Sequence, residues 1–488
     1  MFNVKKSRPV GSAQFVTFTI ITTICLLLAF LTVDRFFPNA LINVFGLLSL
    51  SIFIYFTTIR KSDYWGFVLI IFVLAHFTYA SNQGGTINFA ALLVLLAAII
   101  AGKYQAEKDP LLLVAVGLVL IFNFGGYFFK PTAPFTEVAK GAAAFIAYIL
   151  MFIFLSSLRF RPDNMGRFLI VLMFVSLYSM AIALNYLWSV YVIDNPIPFL
   201  APEPVRFGSN IVSNMTVNSE LYGEESLMLL AFCLPILMSP RHVKRAYKTN
   251  WLVITLLLMA SLVGLVLSRS RSVFILMILL ILCMPFLLNM AGLNPAMTLR
   301  KIMIVMALIV GSAYVLWSFI NIDYSLERLG EINLSEVTLE GLISGELINR
   351  GPMFQYGYDR LRKENWFFGF GWLTYDYNIK NSTGPFSVFN FDLHSLYLTL
   401  PLYFGWIGSV AFLSIFFIML KRLWSIMRRN AMALNGWRIA ALCFFLSLLF
   451  FLVNEIKIGI LREPHYFMTI WIWLGLANAL YWSYKKAE

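Results

Sequence analysis

The stretch Asp-Leu-His-Ser-Leu-Tyr-Leu-Thr-Leu-Pro-Leu-Tyr-Phe-Gly-Trp-Ile-Gly, residues 392–408, places a single histidine where a long polar segment meets an apolar run. The run predicts a membrane helix, so the stretch marks a boundary between water and membrane. On a continuous helix at about 100° per residue, Pro401, Gly405 and Gly408 lie within roughly 40° of His394. This stripe predicts either a cavity wall or a helix contact, and His394 is either functional or a polar residue at the membrane interface.

The composition of the whole chain also indicates a membrane protein. Its 488 residues are 60% hydrophobic and 12% charged, with a mean hydropathy of +0.80, and so little polar surface excludes a soluble globule. Runs of about 17 to 26 apolar residues match the length of a membrane-crossing helix. We predict an all-α polytopic membrane protein with about 12–14 transmembrane helices. The candidate spans are residues 14–33, 40–58, 65–80, 86–102, 111–129, 141–158, 168–192, 222–238, 251–267, 273–290, 302–320, 394–420, 437–453 and 464–482.

Lysine and arginine concentrate in alternate loops between these spans. One side of the membrane holds 23 of the 37 Lys and Arg residues but only 5 of the 24 acidic residues. By the positive-inside rule this side is cytoplasmic, and both termini lie on it. The net charge of +13 therefore reflects topology and not nucleic-acid binding. All four cysteines lie in apolar runs, which argues against a disulfide or metal framework.

Two segments on the opposite, outer side are long enough to fold over the membrane. The first is residues 193–221 and the second is the large outer loop, residues 321–393. The large loop divides the chain into three parts: residues 1–320 with eleven spans, the loop itself, and residues 394–488 with three spans. Loops of such length in compact proteins are usually functional or disordered, and the aromatic content of 321–393 argues against disorder.

The large outer loop changes character at Arg350, from an acidic stretch to an aromatic stretch of mixed charge. Residues 352–364 predict an amphipathic helix, which Gly369 and Gly371 end. Arg350 itself is either a binding residue or a solvated surface charge. Arg206, in Pro-Glu-Pro-Val-Arg-Phe-Gly, is a similar but weaker candidate.

Two further arginines occupy the turn Ser-Arg-Ser-Arg-Ser at residues 268–272, which joins two apolar runs on the outer side. Arg269 and Arg271 are costly at this depth unless an anion compensates them. Phosphate is the natural partner, because a guanidinium group offers several donors in a fixed fork. The alternative is that both side chains reach ordinary lipid headgroups.

A histidine that is neutral near pH 7 can accept a proton from a hydroxyl group, so His394 is a candidate general base. His465, beside Arg462, competes with it on the outer side. The sequence contains no phosphate-binding Gly-rich loop, no His-Glu-x-x-His and no Gly-x-Ser-x-Gly motif. Nucleotide-dependent chemistry is therefore disfavoured. The remaining possibility is a transfer on the outer face from a donor that is already activated and already in the membrane.

At this point the motifs resemble those of the O-antigen ligase and polysaccharide polymerase family of bacterial inner membranes. The family pattern is a Ser-Arg at the outer end of a membrane helix, an Arg followed by Gly-x-Gly, and a His-Asn-x-Tyr-Leu that opens the next membrane helix. The corresponding residues here are Ser270-Arg271, Arg350 with Gly369-Phe370-Gly371, and His394-Ser395-Leu396-Tyr397-Leu398. Ser395 replaces the usual Asn, and either Arg269 or Arg271 could be the matching arginine; Arg271 is favoured because Ser272 and an apolar run follow it.

The resemblance implies a membrane glycosyltransferase of the GT-C type in the bacterial inner membrane, active on the periplasmic face without metal or cofactor. Arg271 and Arg350, with Arg269 as the alternative, would hold the diphosphate of an undecaprenyl-diphosphate-linked glycan. His394 would deprotonate or orient the acceptor hydroxyl for inverting attack. Arg206, Ser395 and Tyr397 are candidates for acceptor binding or support.

Two reactions fit this resemblance: ligation of a polysaccharide to the lipid A core, which we favour, and polymerisation of repeat units onto a growing polysaccharide. A lipid-linked oligosaccharide flippase is a less favoured third reading, because most charged residues lie in loops and not in spans. Besides the lipid bilayer, candidate partners are a chain-length regulator and a flippase.

Overall fold

The computed structural model describes residues 109–129, 134–191, 219–239, 241–268, 270–290, 367–372, 395–429, 435–457 and 464–488, together with 354–355, 358–359, 361–362, 393 and 459. Within these ranges the side chains of residues 181–191 and of twelve others, Arg271 and His465 among them, are not described. The described residues form α-helices, one short 3₁₀ helix at Pro162–Asn164, and no strand. The helices are α1 (Pro110–Phe129), α2 (Phe135–Ser156), α3 (Met165–Tyr191), α4 (Ser219–Met238), α5 (Arg241–Ala246), α6 (Trp251–Ser268), α7 (Arg271–Met290), α8 (Leu396–Met427), α9 (Asn435–Asn454) and α10 (Pro464–Ala487).

Six of the described helices are long and apolar enough to cross a membrane. They are Pro110–Phe129, Glu220–Met238, Trp251–Ser268, Ser272–Met290, Leu396–Met427 and Gly436–Asn454. A helix satisfies its own backbone hydrogen bonds, which is what the hydrocarbon core requires of a spanning segment. The predicted all-α polytopic membrane protein is confirmed.

Nine of the fourteen predicted spans coincide with described helices, with ends that differ by seven residues or fewer. The largest difference is at α8, which continues to Met427 where the prediction ends at 420. The predicted spans 14–33, 40–58, 65–80, 86–102 and 302–320 lie outside the described residues, as do residues 193–218 and most of 321–393.

Among the described helices, α4 is the central one. It packs against α6, α9 and α7, and 94% of its apolar span is buried, compared with 39% for α7. Around it, α1 packs against α8, α2 against α10 and α3 against α6. The exposed apolar side chains of α1 and α7, such as Leu111, Phe128, Leu282 and Phe286, suit a lipid-facing surface.

The six described residues of the predicted amphipathic helix at 352–364 are helical. Phe354 is buried, while Tyr358 and Leu361 pack partly buried against the core, and the exposed Gln355 and Arg362 lie on the other face. Residues 367–372 are not helical, as the glycines at 369 and 371 predict. This part of the large loop therefore lies against the helical bundle.

Candidate functional site

Gly405, the tenth of the 32 residues of helix α8, interrupts the helix. Its φ of 67° and ψ of 177° are non-helical, and glycine adopts this positive φ without strain. In an unbroken helix the carbonyls of Leu402 and Tyr403 would accept hydrogen bonds from amides four residues later. Here they accept hydrogen bonds from the N–H groups of Phe370, at 2.7 Å, and Gly371, at 2.9 Å. The break in α8 thus makes a docking position for the large loop.

The docked segment is Gly369-Phe370-Gly371-Trp372, which we call the glycine turn. On its other side it contacts α1, where the Asn123 side-chain oxygen accepts a 2.7 Å hydrogen bond from the Trp372 N–H. The Tyr127 hydroxyl donates a 2.7 Å hydrogen bond to the Trp372 carbonyl. The Trp372 ring is fully buried against Tyr148 and Phe467, with ring centroids 5.5 and 5.3 Å away. The glycine turn therefore joins α1 to α8 through hydrogen bonds and a buried ring.

Glycine is required on both sides of this contact. A Cβ atom at Gly369 would overlap the backbone of Tyr403, and one at Gly126 of α1 would overlap the backbone of Gly371. Gly371 has a φ of +84°, and a Cβ there would also overlap the Tyr127 ring. Backbone can approach backbone this closely only where no side chain intervenes.

The predicted stripe of His394, Pro401, Gly405 and Gly408 is not a single helical face. The prediction assumes a continuous helix, which is wrong because α8 breaks at Gly405. The sequence predicts that the small residues form either a cavity wall or a helix contact, and the structure shows a helix contact. A Cβ at Gly408 would overlap Phe122 of α1, so Gly408 lies directly against that helix.

A second meeting point lies at residues 452–457, where α9 ends; we call these residues the junction turn. Ser272, the residue after Arg271, donates a 3.2 Å hydrogen bond from its hydroxyl to the Asn454 side-chain oxygen. Lys457 donates a 3.5 Å hydrogen bond to the same Ser272 hydroxyl. The start of α7 is thereby held against the junction turn.

The start of α8 is held against the same turn. The Leu396 N–H donates a 3.0 Å hydrogen bond to the Glu455 carbonyl. The Tyr397 hydroxyl donates a 2.7 Å hydrogen bond to the Leu452 carbonyl. Leu396 is two residues after His394, so the chain segments that carry two of the predicted site residues meet at one turn.

Buried acidic groups lie beneath the junction turn. Glu224 of α4 is only 2% exposed and lies next to the side chains of Asn454 and Glu455, the latter fully buried. One turn away, Glu220 forms a 3.3 Å ion pair with Lys457. An ionisable residue at such a depth in a spanning helix is costly, and such residues commonly serve a function.

Glu224 also borders a small cavity among α3, α4, α9 and α10, which Glu225, Phe451, Tyr466 and Trp473 line with it. Across the described ranges no group of three or more His, Cys, Asp or Glu residues is arranged to hold a metal ion.

The structure describes some of the predicted site residues and leaves others outside the described ranges. Ser395 is the buried residue that precedes α8, and its carbonyl accepts hydrogen bonds from the Thr399 amide and hydroxyl. Tyr397 is 37% exposed and bonds the junction turn. Arg271 is the first residue of α7, with its side chain outside the described part. Arg206, Arg269, Arg350, His394 and Arg462, and the side chain of His465, lie outside the described residues.

The helices and their membrane-length apolar segments define a multi-pass, all-α membrane protein. Residues 254–413, about a third of the chain, match the O-antigen ligase family model. This match confirms the resemblance seen in the motifs, and it includes both the α6–α7 turn and the start of α8. Neither the comparison with curated proteins nor the comparison with solved structures found a match.

Several residues at the two meeting points belong to none of the sequence motifs. Asn123, Glu224 and Asn454 lie in or at the end of predicted spans, where a polar side chain is costly. That cost is a signal available in the sequence. The hydrogen-bond partners of Asn454 and Asn123, in contrast, lie 182 and 249 residues away in the chain, and spacing alone does not indicate such pairs.

Proposed function

We propose that this protein transfers a glycan from undecaprenyl diphosphate to a sugar hydroxyl at the periplasmic face of the bacterial inner membrane. Ligation to the lipid A core is the reaction that we favour, and polymerisation of repeat units is the alternative. The observation that supports this proposal most strongly is the shared junction turn. Ser272 and Leu396, which flank Arg271 and His394 closely in sequence, both bond to it. The match to the O-antigen ligase family model covers both segments.

The proposed chemistry needs no nucleotide or metal. The acceptor hydroxyl gives its proton to His394 as its oxygen attacks the anomeric carbon of the donor sugar. The bond from that carbon to the diphosphate oxygen breaks, and undecaprenyl diphosphate leaves with the bonding electrons. Attack opposite the leaving group inverts the anomeric configuration. Arg271 and Arg350 offset the negative charge that develops on the leaving diphosphate.

The first test replaces the residues that carry the proposed chemistry. His394→Ala and Arg350→Ala should abolish glycan assembly in cells while the protein level stays unchanged. Arg362→Ala is the control for Arg350, because Arg362 is an exposed arginine of the same loop. His242→Ala, on the predicted cytoplasmic side, is the control for His394. Normal polysaccharide bands from either of the first two variants would disprove the catalytic proposal.

The second test separates ligation from polymerisation. After deletion of the gene, lipopolysaccharide is separated on a gel and lipid-linked glycans are extracted from the membrane. Free undecaprenyl-linked polymer together with bare core indicates a ligase. A single repeat unit on the core indicates a polymerase. Unchanged lipopolysaccharide and exopolysaccharide would exclude both reactions.

A further inference from the structure

We propose that the junction turn sets the relative position of the donor-binding and acceptor-activating segments, and that Asn454 and Ser272 are positioning residues for glycan transfer. This inference rests on the proposed function. It assigns a role to Asn454, which lies outside the three sequence motifs, and to Ser272, which directly follows one of them. It concerns geometry, since neither side chain is proposed to touch a reacting atom.

The connection to the donor side runs through one side-chain pair. The Ser272 hydroxyl donates to Asn454 at 3.2 Å and lies within 3.3 Å of the Ser270 hydroxyl. Ser270 and Ser272 flank Arg271, so these contacts fix the backbone on both sides of that arginine. Lys457, which approaches Ser272 at 3.5 Å, is itself tied to Glu220 of α4. The start of α7 is therefore attached to the central helix by way of the junction turn.

The connection to the acceptor side uses backbone carbonyls of the same turn. Leu396 bonds to the Glu455 carbonyl and Tyr397 to the Leu452 carbonyl, at 3.0 and 2.7 Å. Ser395, between His394 and these two residues, is buried. Only Ser395 separates His394 from Leu396 in the chain. A shift of the junction turn would therefore move the starts of α7 and α8 together.

The junction turn is itself held rigidly. Asn454 and Glu455 are 3% and 0% exposed, and the Glu455 N–H donates a 3.0 Å hydrogen bond back to Phe451 of α9. Glu224 lies beside both residues from the fully buried stretch of α4. A buried, hydrogen-bonded polar group of this kind fixes one arrangement, because the alternatives leave it unsatisfied.

Misplacement of a catalytic group by about 1 Å can reduce the rate by about 100-fold. Loss of the Ser272–Asn454 hydrogen bond would release the start of α7 from the turn without removing Arg271 or His394. The expected effect is therefore on the turnover rate more than on donor binding. Loss of donor affinity alone would indicate a binding role instead.

The experiment uses full-length protein in proteoliposomes. Lipid-linked glycan and acceptor lipid are extracted from cells that lack the gene, and kcat and KM for the donor are measured. Ser272→Ala and Asn454→Ala should each lower kcat by about 10- to 100-fold, with KM changed by less than about threefold. Ser272→Thr keeps the hydroxyl and should restore kcat to within about threefold of the unaltered chain. Ser176→Ala is the control, because buried Ser176 bonds, among the described residues, to the Leu172 carbonyl of its own helix.

A double-mutant cycle checks that the two residues act through one bond. Ser272→Ala combined with Asn454→Ala should lower kcat no further than either change alone. Thermal unfolding of all variants is followed in parallel, so that kcat is compared at a temperature where every variant is folded.

Each result decides between the proposals. Kinetics equal to those of Ser176→Ala, an increase in KM with unchanged kcat, or additive losses in the cycle would overturn the positioning role and leave the proposed function intact. Transfer that is absent from the unaltered chain would overturn the proposed function and this inference with it.

Discussion

The contact between the glycine turn and the break in α8 leads to the sharpest prediction. Gly369→Ala places a methyl group against the backbone of Tyr403 and the Leu402 carbonyl, neither of which can rotate away. The glycine turn must then move off α8. Its two hydrogen bonds, from Phe370 to Leu402 and from Gly371 to Tyr403, lengthen or break.

The expected cost follows from these contacts. Overpacking of a well-packed site costs about 1–3 kcal/mol. Each of the two backbone hydrogen bonds contributes roughly 1 kcal/mol, so their loss brings the total to about 3–5 kcal/mol. Since 1.4 kcal/mol corresponds to a factor of ten, a loss of about 3 kcal/mol raises the population of the undocked turn by about two orders of magnitude.

Hydrogen exchange measured by mass spectrometry reports this population directly. In purified protein, peptides that contain Phe370 and Gly371 should exchange about 100-fold faster in Gly369→Ala than in the unaltered chain. Gly117→Ala is the matched control, because a Cβ at this α1 position meets no atom within 4 Å. Unchanged exchange in Gly369→Ala, or equal acceleration in both variants, would refute the proposed docking of the loop on α8.

Three further predictions follow. Tyr127→Phe removes the hydroxyl that bonds the Trp372 carbonyl and should destabilise docking of the glycine turn by about 1 kcal/mol, seen as faster exchange of the same peptides; exchange at the wild-type rate would contradict it. Burial raises the pKa of Tyr247, which lies between α5 and α6, well above its ordinary value of 10.0. Above about pH 10 the unfolded chain therefore loses this proton while the folded chain keeps it, so stability falls as pH rises, by up to roughly 1.4 kcal/mol per pH unit. Tyr247→Phe lacks this contribution, and its Tm should fall less steeply between about pH 10 and 11; parallel Tm curves would argue against the effect. For topology, in a chain whose four cysteines are replaced by alanine, Ser382→Cys should react with an impermeant thiol reagent in intact spheroplasts, whereas Asn250→Cys, exposed on the predicted cytoplasmic side, should react only after lysis. The reverse pattern of labelling would invert the orientation.

The two meeting points give the three sequence motifs different roles. The Gly369-Phe370-Gly371 motif has the composition of a flexible loop, yet its amides bond α8 and the following Trp372 is fully buried. Within the described residues it acts as an attachment of the large loop to α1 and α8. The segments that contain Arg271 and His394 meet instead at the junction turn, which belongs to neither motif.

The prediction for residues 392–408 shows where reasoning from the sequence is limited. A helix beginning near 394 is confirmed, because length and hydropathy suffice to identify a membrane helix. The prediction that this helix continues unbroken through Gly405 is wrong. Glycine permits a break but does not require one. The break at this position is stabilised by donors from residues 370 and 371, which lie some 30 residues earlier in the chain.

The sequence by itself determined the class of protein, the existence of nine of the described helices and the family resemblance of residues 254–413. These are properties of local hydropathy, segment length and short motifs, because the membrane requires each span to satisfy its own backbone. The tertiary structure alone decided that α4 is the central helix, that the glycine turn docks between α1 and α8, and that Asn454 lies against Ser272. Such contacts depend on which surfaces approach closely enough to exchange hydrogen bonds. In this protein that approach is governed by small residues and buried polar groups that are far apart in the chain.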